Sequence, residues 1–207
     1  IDELASPDYP YKTKMIHLLE NGEALYNPDF LRICRYIKEK LPDTAVNLLS
    51  NFGMMSGKIS KTLLEEKLLS SLQVNIDGHD AESYTAVKGI PYDTVISNLI
   101  KFINHRKELD PDFDLCINVM PAFEYAVTVG ALFGRPPDQV DGKVPYSDFE
   151  LVEESLRTFV PNNVRIRHSK AGLWSERRLV ASGLVKAHPD RSKLDCPMLS
   201  RVQEEAF

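Results

Sequence analysis

Short apolar runs alternate along this chain with longer segments in which apolar residues recur every three or four positions. The runs are typical of buried strands, and the longer segments predict helices with one apolar face. The predicted strands are residues 15–19, 46–50, 72–77, 114–120 and 164–168. Strands that alternate with helices form parallel sheets through right-handed crossovers. The sequence therefore predicts an α/β fold, with a sheet that closes as a barrel or stays open.

Proline, serine and glycine residues mark the ends of the predicted helices. Pro91 opens the longest of them, Ser60 is expected to cap another, and Ser147 with Glu150 forms a capping box. The predicted helices are the end of one at residues 1–5, and then about 28–41, 60–69, 91–103, 125–133 and 147–159. The sequence after residue 168 is rich in glycine, proline and charge. We therefore expect one folded unit over residues 1–168 and a C-terminal segment over residues 169–207.

The composition is that of an ordinary soluble globular domain. The chain has 207 residues, of which 43% are apolar and 27% are charged, and this length fits one domain. The formal net charge of −5 argues against a general nucleic-acid surface, which needs clustered lysine and arginine. No run of about 18 apolar residues occurs, so neither a transmembrane helix nor a membrane partner is expected.

Three cysteines, Cys34, Cys116 and Cys196, are spread widely along the sequence. Their odd number and wide spacing provide no disulfide framework, so we expect a reducing, cytoplasmic compartment. Cys34 fits the apolar face of a helix and Cys116 lies in a strand, so both are expected to be buried and not to bind iron. Cys196 lies instead in a polar stretch, directly before Pro197.

Four of the five predicted strands end in small or polar residues. Because the carboxyl ends of parallel strands meet at one edge of a sheet or barrel, these residues are expected to form a ligand site. A set of polar turns with no ligand is the alternative. The segments are Asn21-Gly22-Glu23, Ser50-Asn51, Asn75 to Asp77, and His168-Ser169.

Several of these segments resemble motifs of one enzyme superfamily. Residues 20–29, ENGEALYNPD, resemble the GGEPLLNPD turn of radical S-adenosylmethionine enzymes, and residues 49–53, LSNFG, resemble their TNG strand end. Residues 74–84, VNIDGHDAESY, resemble the SIDG segment, and Lys88-Gly89 resembles the Arg-Gly that follows it. The order and spacing also match, and the likeness covers most of residues 1–168.

The resemblance implies a domain organisation. Residues 1–168 are expected to form a partial (βα)6 TIM-like barrel of parallel strands, of the radical S-adenosylmethionine type. Residues 169–207 would lead to an auxiliary-cluster region, because Cys196 in DCPML is similar to the cysteine that begins the SPASM extension. Cys196 is therefore a candidate ligand of an auxiliary iron–sulfur cluster.

The resemblance also implies a chemistry. Members of this superfamily reductively cleave S-adenosylmethionine at a [4Fe–4S] cluster, and the 5′-deoxyadenosyl radical abstracts hydrogen from a substrate. The electron would come from a donor such as flavodoxin or ferredoxin, and the substrate would be a small molecule or a peptide. The CxxxCxxC loop that binds the cluster is absent from these residues, so its ligands are expected outside them. The 207 residues alone are expected to be inactive as an oxidoreductase.

The resemblance assigns the strand-end residues to S-adenosylmethionine binding. Glu23, with the backbone of Asn21 and Gly22, is expected to accept hydrogen bonds from the ammonium of the methionine part. Asn75 would donate to the carboxylate. Lys88 would add positive charge there, and a solvated surface position is the alternative for Lys88.

Other positions have broader roles. Ser50 and Asn51 suit the ribose hydroxyls or the carboxylate, and Asn118 is expected either to face the barrel interior or to be a satisfied core amide. Arg167 and His168 could contact adenine or substrate, with a structural role as the alternative for His168. The complete cofactor-binding prediction is Asn21, Gly22, Glu23, Ser50, Asn51, Asn75, Asp77, Lys88, Asn118 and His168.

Two other functions are alternatives. A TIM-like barrel without a cluster could act as a small-molecule-binding or scaffold protein, and the missing cluster ligands favour it. A barrel lyase or aldolase would need a Schiff-base lysine or metal ligands at strand ends, and no lysine lies inside a predicted strand.

Overall fold

The computed structural model of the protein describes residues 1–18, 22–120 and 147–168. Its strands are β1 (Met15–Leu18), β2 (Ala45–Ser50), β3 (Ser71–Asn75), β4 (Asp114–Val119) and β5 (Arg165–His168). Its helices are α1 (Asp2–Ala5), α2 (Phe30–Lys40), α3 (Gly57–Glu65), α4 (Ala81–Lys88), α5 (Tyr92–Leu109) and α6 (Phe149–Arg157), with a 3₁₀ helix at Ala24–Tyr26. The predicted helix 125–133, the segment 169–207, Asn21 and Cys196 lie outside the described residues.

The five described strands form one sheet in the order β1-β2-β3-β4-β5, and every neighbouring pair is parallel. Each observed strand overlaps its predicted range. The predicted α/β class and the five neighbouring parallel strands are therefore confirmed.

The sheet is singly wound over the described residues. Consecutive strands are always neighbours, so right-handed crossovers place the connecting helices on one face. The core agrees with this arrangement, because Leu48, Val74 and Ile117 of the strands belong to one buried cluster with Leu64 of α3 and Phe102 of α5. A doubly wound sheet would reverse its strand order and carry helices on both faces. The architecture is compatible with part of an α/β barrel.

The opposite face of the sheet is mostly polar. Side chains alternate along a strand, so residues paired in register share a face; Asn75 pairs with Asn118, and Asn118 pairs with Arg167. None of the residues on this face belongs to the apolar core that the described residues form. This polar sheet face consists of Met15, His17, Ala45, Asn47, Leu49, Ser71, Gln73, Asn75, Asp114, Cys116, Asn118, Arg165 and Arg167.

The predicted cap of α3 is wrong. The helix begins after Ser56, whose hydroxyl accepts a hydrogen bond from the backbone N of Ile59 at 3.3 Å. Ser60 is buried inside the helix, where its Oγ lies 2.6 Å from Nδ1 of His105 on α5. Both serines are suitable helix caps by residue type. Ser56 caps α3, whereas Ser60 lies within the helix and contacts His105 of α5.

The predicted capping box of α6 is also wrong. Asp148 caps this helix by accepting from the backbone N of Leu151 at 2.9 Å. Ser147 is buried just outside the helix, where its Oγ lies 3.0 Å from Nδ1 of His79. Aspartate and serine are comparable caps, so the sequence alone does not separate two adjacent candidates.

Helix α4 was not among the predicted helices. It begins with a capping box, in which the Asp80 carboxylate accepts from the backbone N of Ser83 at 2.8 Å and the Ser83 hydroxyl accepts from the backbone N of Asp80 at 3.3 Å. It ends at Gly89, whose φ of +65° favours glycine. The helix has few large apolar residues, so hydrophobic periodicity did not reveal it.

Cys34 and Cys116 are both buried, as predicted. Burial is also the main reason that the pKa of the Cys34 thiol rises to about 12. Cys34 is a residue of α2 that lies in the apolar core, whereas Cys116 is on the polar sheet face. The two thiols therefore lie on opposite sides of the sheet and cannot bind one metal ion together.

Candidate functional site

Glu23 links the carboxyl ends of β1 and β2. Its Oε1 accepts hydrogen bonds from Oγ of Ser50 at 3.0 Å and from the backbone N of Leu25 at 3.3 Å. Its Oε2 accepts from the backbone N of Asn51 at 2.8 Å. A carboxylate has about four acceptor positions, so these three bonds fix the group and leave capacity for one more donor.

Gly22, directly before Glu23, has an exposed backbone. Gly22 is exposed and has a φ of +110°, a conformation that side-chain-bearing residues rarely adopt. Among the described residues, no atom would lie within 4 Å of a Cβ at this position. The backbone at Gly22 is therefore accessible, and Glu23 itself is half-buried beside it.

Ser50 and Asn51 mainly position Glu23 and the turn after β2. Ser50 is buried; its hydroxyl donates to Glu23 and accepts from the backbone N of Phe52 at 3.0 Å. Oδ1 of Asn51 accepts from the backbone N of Gly53 at 2.9 Å. The hydroxyl proton of Ser50 is already used, so among these side-chain groups the amide nitrogen of Asn51 is the better donor toward a ligand.

Asp77 and Lys88 form a second group at the ends of β3 and β4. Asp77 Oδ1 accepts from the backbone N of Met120 at 3.0 Å, and Lys88 Nζ lies 2.6 Å from Asp77 Oδ2. The two side chains are only 2% and 17% exposed. The resemblance places Lys88 near a ligand carboxylate, and in the structure Lys88 forms an ion pair with Asp77.

Tyr84 lies close enough to both groups for the carboxylates of Asp77 and Glu23 to raise its pKa, and the sequence did not single it out. Burial raises the pKa of its hydroxyl, and the Asp77 and Glu23 carboxylates raise it further. The side chain is fully buried, and its hydroxyl has no hydrogen-bond partner in the described part of the chain. The only sequence signal was its place at the end of the SIDG-like segment.

A row of amide side chains crosses the polar sheet face. Asn118 Nδ2 donates to Oε1 of Gln73 at 3.0 Å and to Oδ1 of Asn75 at 3.4 Å. Its Oδ1 accepts from Nε of Arg167 at 3.1 Å. The predicted residues Asn75 and Asn118 therefore lie together, and the structure adds Gln73, which the sequence did not single out.

His168 does not join this row. Its place in β5 alternates with Arg167, so it lies on the helix side of the sheet. Its ring stacks on Phe149 of α6, with ring centroids 4.8 Å apart and planes 17° apart. The structural alternative for His168 fits this position better than a cofactor contact.

A serine, a histidine and an aspartate also meet at the start of α4. His79 Nδ1 lies 3.0 Å from Oγ of Ser147, and its Nε2 lies 3.3 Å from Oδ2 of Asp80. Ser147 is only 1% exposed, and Asp80 caps the helix. A nucleophile must reach its substrate, so this cluster is structural.

The sequence was also compared with known families and proteins. No protein-family model and no curated protein matches it. The site must therefore be interpreted from its own geometry.

The described residues contain neither a metal-binding group nor a membrane-spanning helix. No group of three or more histidine, cysteine, aspartate or glutamate side chains in the described ranges could hold a metal ion. None of the helices within those ranges is long and apolar enough to cross a membrane.

Proposed function

We propose that residues 1–168 form the S-adenosylmethionine-binding part of a radical S-adenosylmethionine enzyme of the SPASM type. The observation that carries the proposal is the Glu23 carboxylate. It is fixed between the carboxyl ends of β1 and β2 by Ser50 and Asn51, and it retains acceptor capacity beside the exposed backbone of Gly22. An acceptor of this kind suits an ammonium group, and the singly wound parallel sheet supports a barrel.

The residues of this site would bind and orient the cofactor. Glu23 would accept from the ammonium, and Asn75 and the amide nitrogen of Asn51 would donate to carboxylate or ribose oxygens. Asp77 and Lys88 would position these groups by joining α4 to the ends of β3 and β4. The half-buried setting of Glu23 limits its access to water, which strengthens a charge-assisted hydrogen bond.

The described residues do not fit an iron–sulfur cluster. Cys34 and Cys116 are buried on opposite sides of the sheet, and cluster ligation needs several convergent thiolates. We therefore place the ligands of the [4Fe–4S] cluster outside these 207 residues. In radical S-adenosylmethionine enzymes the bound cofactor supplies, after one-electron reduction, the group that abstracts hydrogen from the substrate. A flavodoxin or ferredoxin would supply the electron.

Glu23→Gln should weaken S-adenosylmethionine binding by about 10-fold to 150-fold. The loss follows from a charge-assisted hydrogen bond that contributes roughly 1.5–3 kcal/mol, with each 1.4 kcal/mol equal to about tenfold in affinity. Titration calorimetry under anaerobic conditions would measure it, on the natural full-length protein after cluster reconstitution.

Glu65→Gln is the matched control, because Glu65 is exposed on α3 and pairs only with Lys61 at 3.5 Å. Its affinity for S-adenosylmethionine should equal that of the wild type. Thermal unfolding of both variants would separate a local effect from loss of the fold. Unchanged affinity in Glu23→Gln would reduce Glu23 to a turn residue and remove the main support for the proposal.

A further inference from the structure

The amide row on the polar sheet face has only one consistent orientation. Arginine has hydrogen-bond donors and no acceptor, so the atom of Asn118 that faces Nε of Arg167 must be its oxygen. Nδ2 of Asn118 then faces Gln73 and Asn75. Since Nδ2 is a donor, both neighbours must turn their oxygens toward it.

This orientation leaves a specific set of groups unused. The oxygens of Gln73, Asn75 and Asn118 all accept bonds within the row. The side-chain NH2 groups of Gln73 and Asn75 and the two terminal nitrogens of Arg167 have no partner in the described parts of the chain. All of these remaining groups are donors, and one of them carries a positive charge.

Within the described strands, no carboxylate on this face is left to balance the charge of Arg167. Asp114 is the one acidic residue that the described strands place there, and both of its oxygens accept from Nη2 of Arg165, at 2.9 and 3.2 Å. Arg167 is exposed, and Gln73 and Asn75 are half-buried next to Asn118. A surface that offers the two terminal nitrogens of a guanidinium and two side-chain NH2 groups is complementary to an anion with oxygen acceptors.

We propose that the polar sheet face binds a carboxylate of the substrate through Arg167, with the side-chain NH2 group of Gln73 donating to a neighbouring oxygen. The inference rests on the proposed function, and it assigns the substrate to the carboxylate-bearing class of small molecules or peptides.

The spacing of the sheet separates this anion from the cofactor's own carboxylate. Glu23 is bound at the end of β2, whereas the Arg167 guanidinium is held beside Asn118 on β4. Two strand spacings correspond to about 10 Å. The nitrogen and the carboxylate carbon of an α-amino acid are only about 2.5 Å apart. A methionine ammonium at Glu23 therefore leaves Arg167 for a different molecule.

N-acetylglycine is a suitable probe because it combines a carboxylate with an amide oxygen. In a nuclear magnetic resonance titration of the full-length protein, it should give saturable shifts at Nε–H of Arg167 and at the side-chain NH2 group of Gln73. The neutral N-acetylglycinamide should bind about 10-fold more weakly or worse. Absence of saturable shifts, or equal affinity for the two probes, would overturn the inference.

Variants and competition complete the test. Arg167→Gln should weaken N-acetylglycine binding at least about 10-fold, since a charge-assisted bond is lost. Arg32→Gln should have no effect, because Arg32 is an exposed residue of α2 that pairs with Asp29. S-adenosylmethionine and N-acetylglycine should bind together. Competition between them, or unchanged binding in Arg167→Gln, would overturn the inference.

The two proposals fail in different ways. Loss of S-adenosylmethionine binding with intact carboxylate binding would contradict the proposed function alone. Normal S-adenosylmethionine binding without carboxylate binding at Arg167 would contradict the present inference alone.

Discussion

Asp77→Asn is expected to lower the free energy of unfolding by about 3–5 kcal/mol, because it removes one charge of a largely buried ion pair and leaves the positive charge of Lys88 in place. Asparagine can still accept from the backbone N of Met120, so most of the loss would come from the broken ion pair. Its NH2 group or its neutral oxygen would face Nζ of Lys88, where the carboxylate oxygen now lies at 2.6 Å. Urea unfolding followed by circular dichroism would measure the change.

Two controls isolate the buried ion pair. Asp114→Asn breaks the pair with Arg165, in which both side chains are at least half exposed, and it should cost less than about 1 kcal/mol. Adding Lys88→Met to Asp77→Asn should restore part of the stability, since removing both charges costs less than removing one. A stable single variant, or a double variant less stable than the single one, would contradict this account of the ion pair.

Gly78→Ala is expected to destabilise the protein by more than about 3 kcal/mol. A Cβ at this position would lie 2.5 Å from the backbone N of Tyr84, 2.7 Å from its Cα and 2.8 Å from Oγ of Ser83. Two of these atoms belong to the backbone of α4, so the helix would have to move away from the strand end. Such overpacking typically costs about 1–3 kcal/mol when side chains can adjust. Here the added Cβ would overlap backbone atoms, so we expect a larger cost.

Gly57→Ala is the matched control for this prediction. Its Cβ would contact only Cε1 of His105, at 3.7 Å, which is an ordinary distance. Gly57 begins α3, where alanine is a better helix former, so this variant should be as stable as the wild type or slightly more stable. Thermal unfolding of both would compare them. Equal stability of Gly78→Ala and the wild type would show that α4 has room to shift.

The strands could be predicted because the pattern of apolar and polar residues that defines a strand is contained in short stretches of sequence. Leu72-Gln73-Val74-Asn75 alternates between the helix side and the polar side of the sheet, as period-two patterns do. The burial of β3 follows the same alternation. The order of the strands followed from right-handed crossovers between sequential neighbours.

The helix starts were less predictable because adjacent polar residues compete for the cap. Ser147 and Asp148 both have suitable side chains, and only the packing of Ser147 against His79 decides between them. Ser60 similarly lies in the interior because it meets His105, 45 residues away in sequence. Contacts of this range are not encoded in any local pattern.

The candidate site could be predicted in part. The proximity of Glu23, Ser50 and Asn51 followed from the meeting of strand ends, whereas Asn118 was singled out only by its alternation along a strand. The partners of these groups did not follow, because a sequence does not show that the Ser50 hydroxyl is used by Glu23 or that Lys88 pairs with Asp77. Gln73 was overlooked because one polar residue in an alternating strand has no distinctive signal.

The formation of 5′-deoxyadenosine tests the central claim most directly. The natural full-length protein would be reconstituted anaerobically with iron and sulfide, reduced with dithionite and supplied with S-adenosylmethionine, with the 207 residues alone treated in parallel. We predict a [4Fe–4S] cluster and 5′-deoxyadenosine from the full-length protein, and neither from the 207 residues. S-adenosylmethionine binding without cleavage would indicate a clusterless binding protein, and absence of both binding and cleavage would contradict the account entirely.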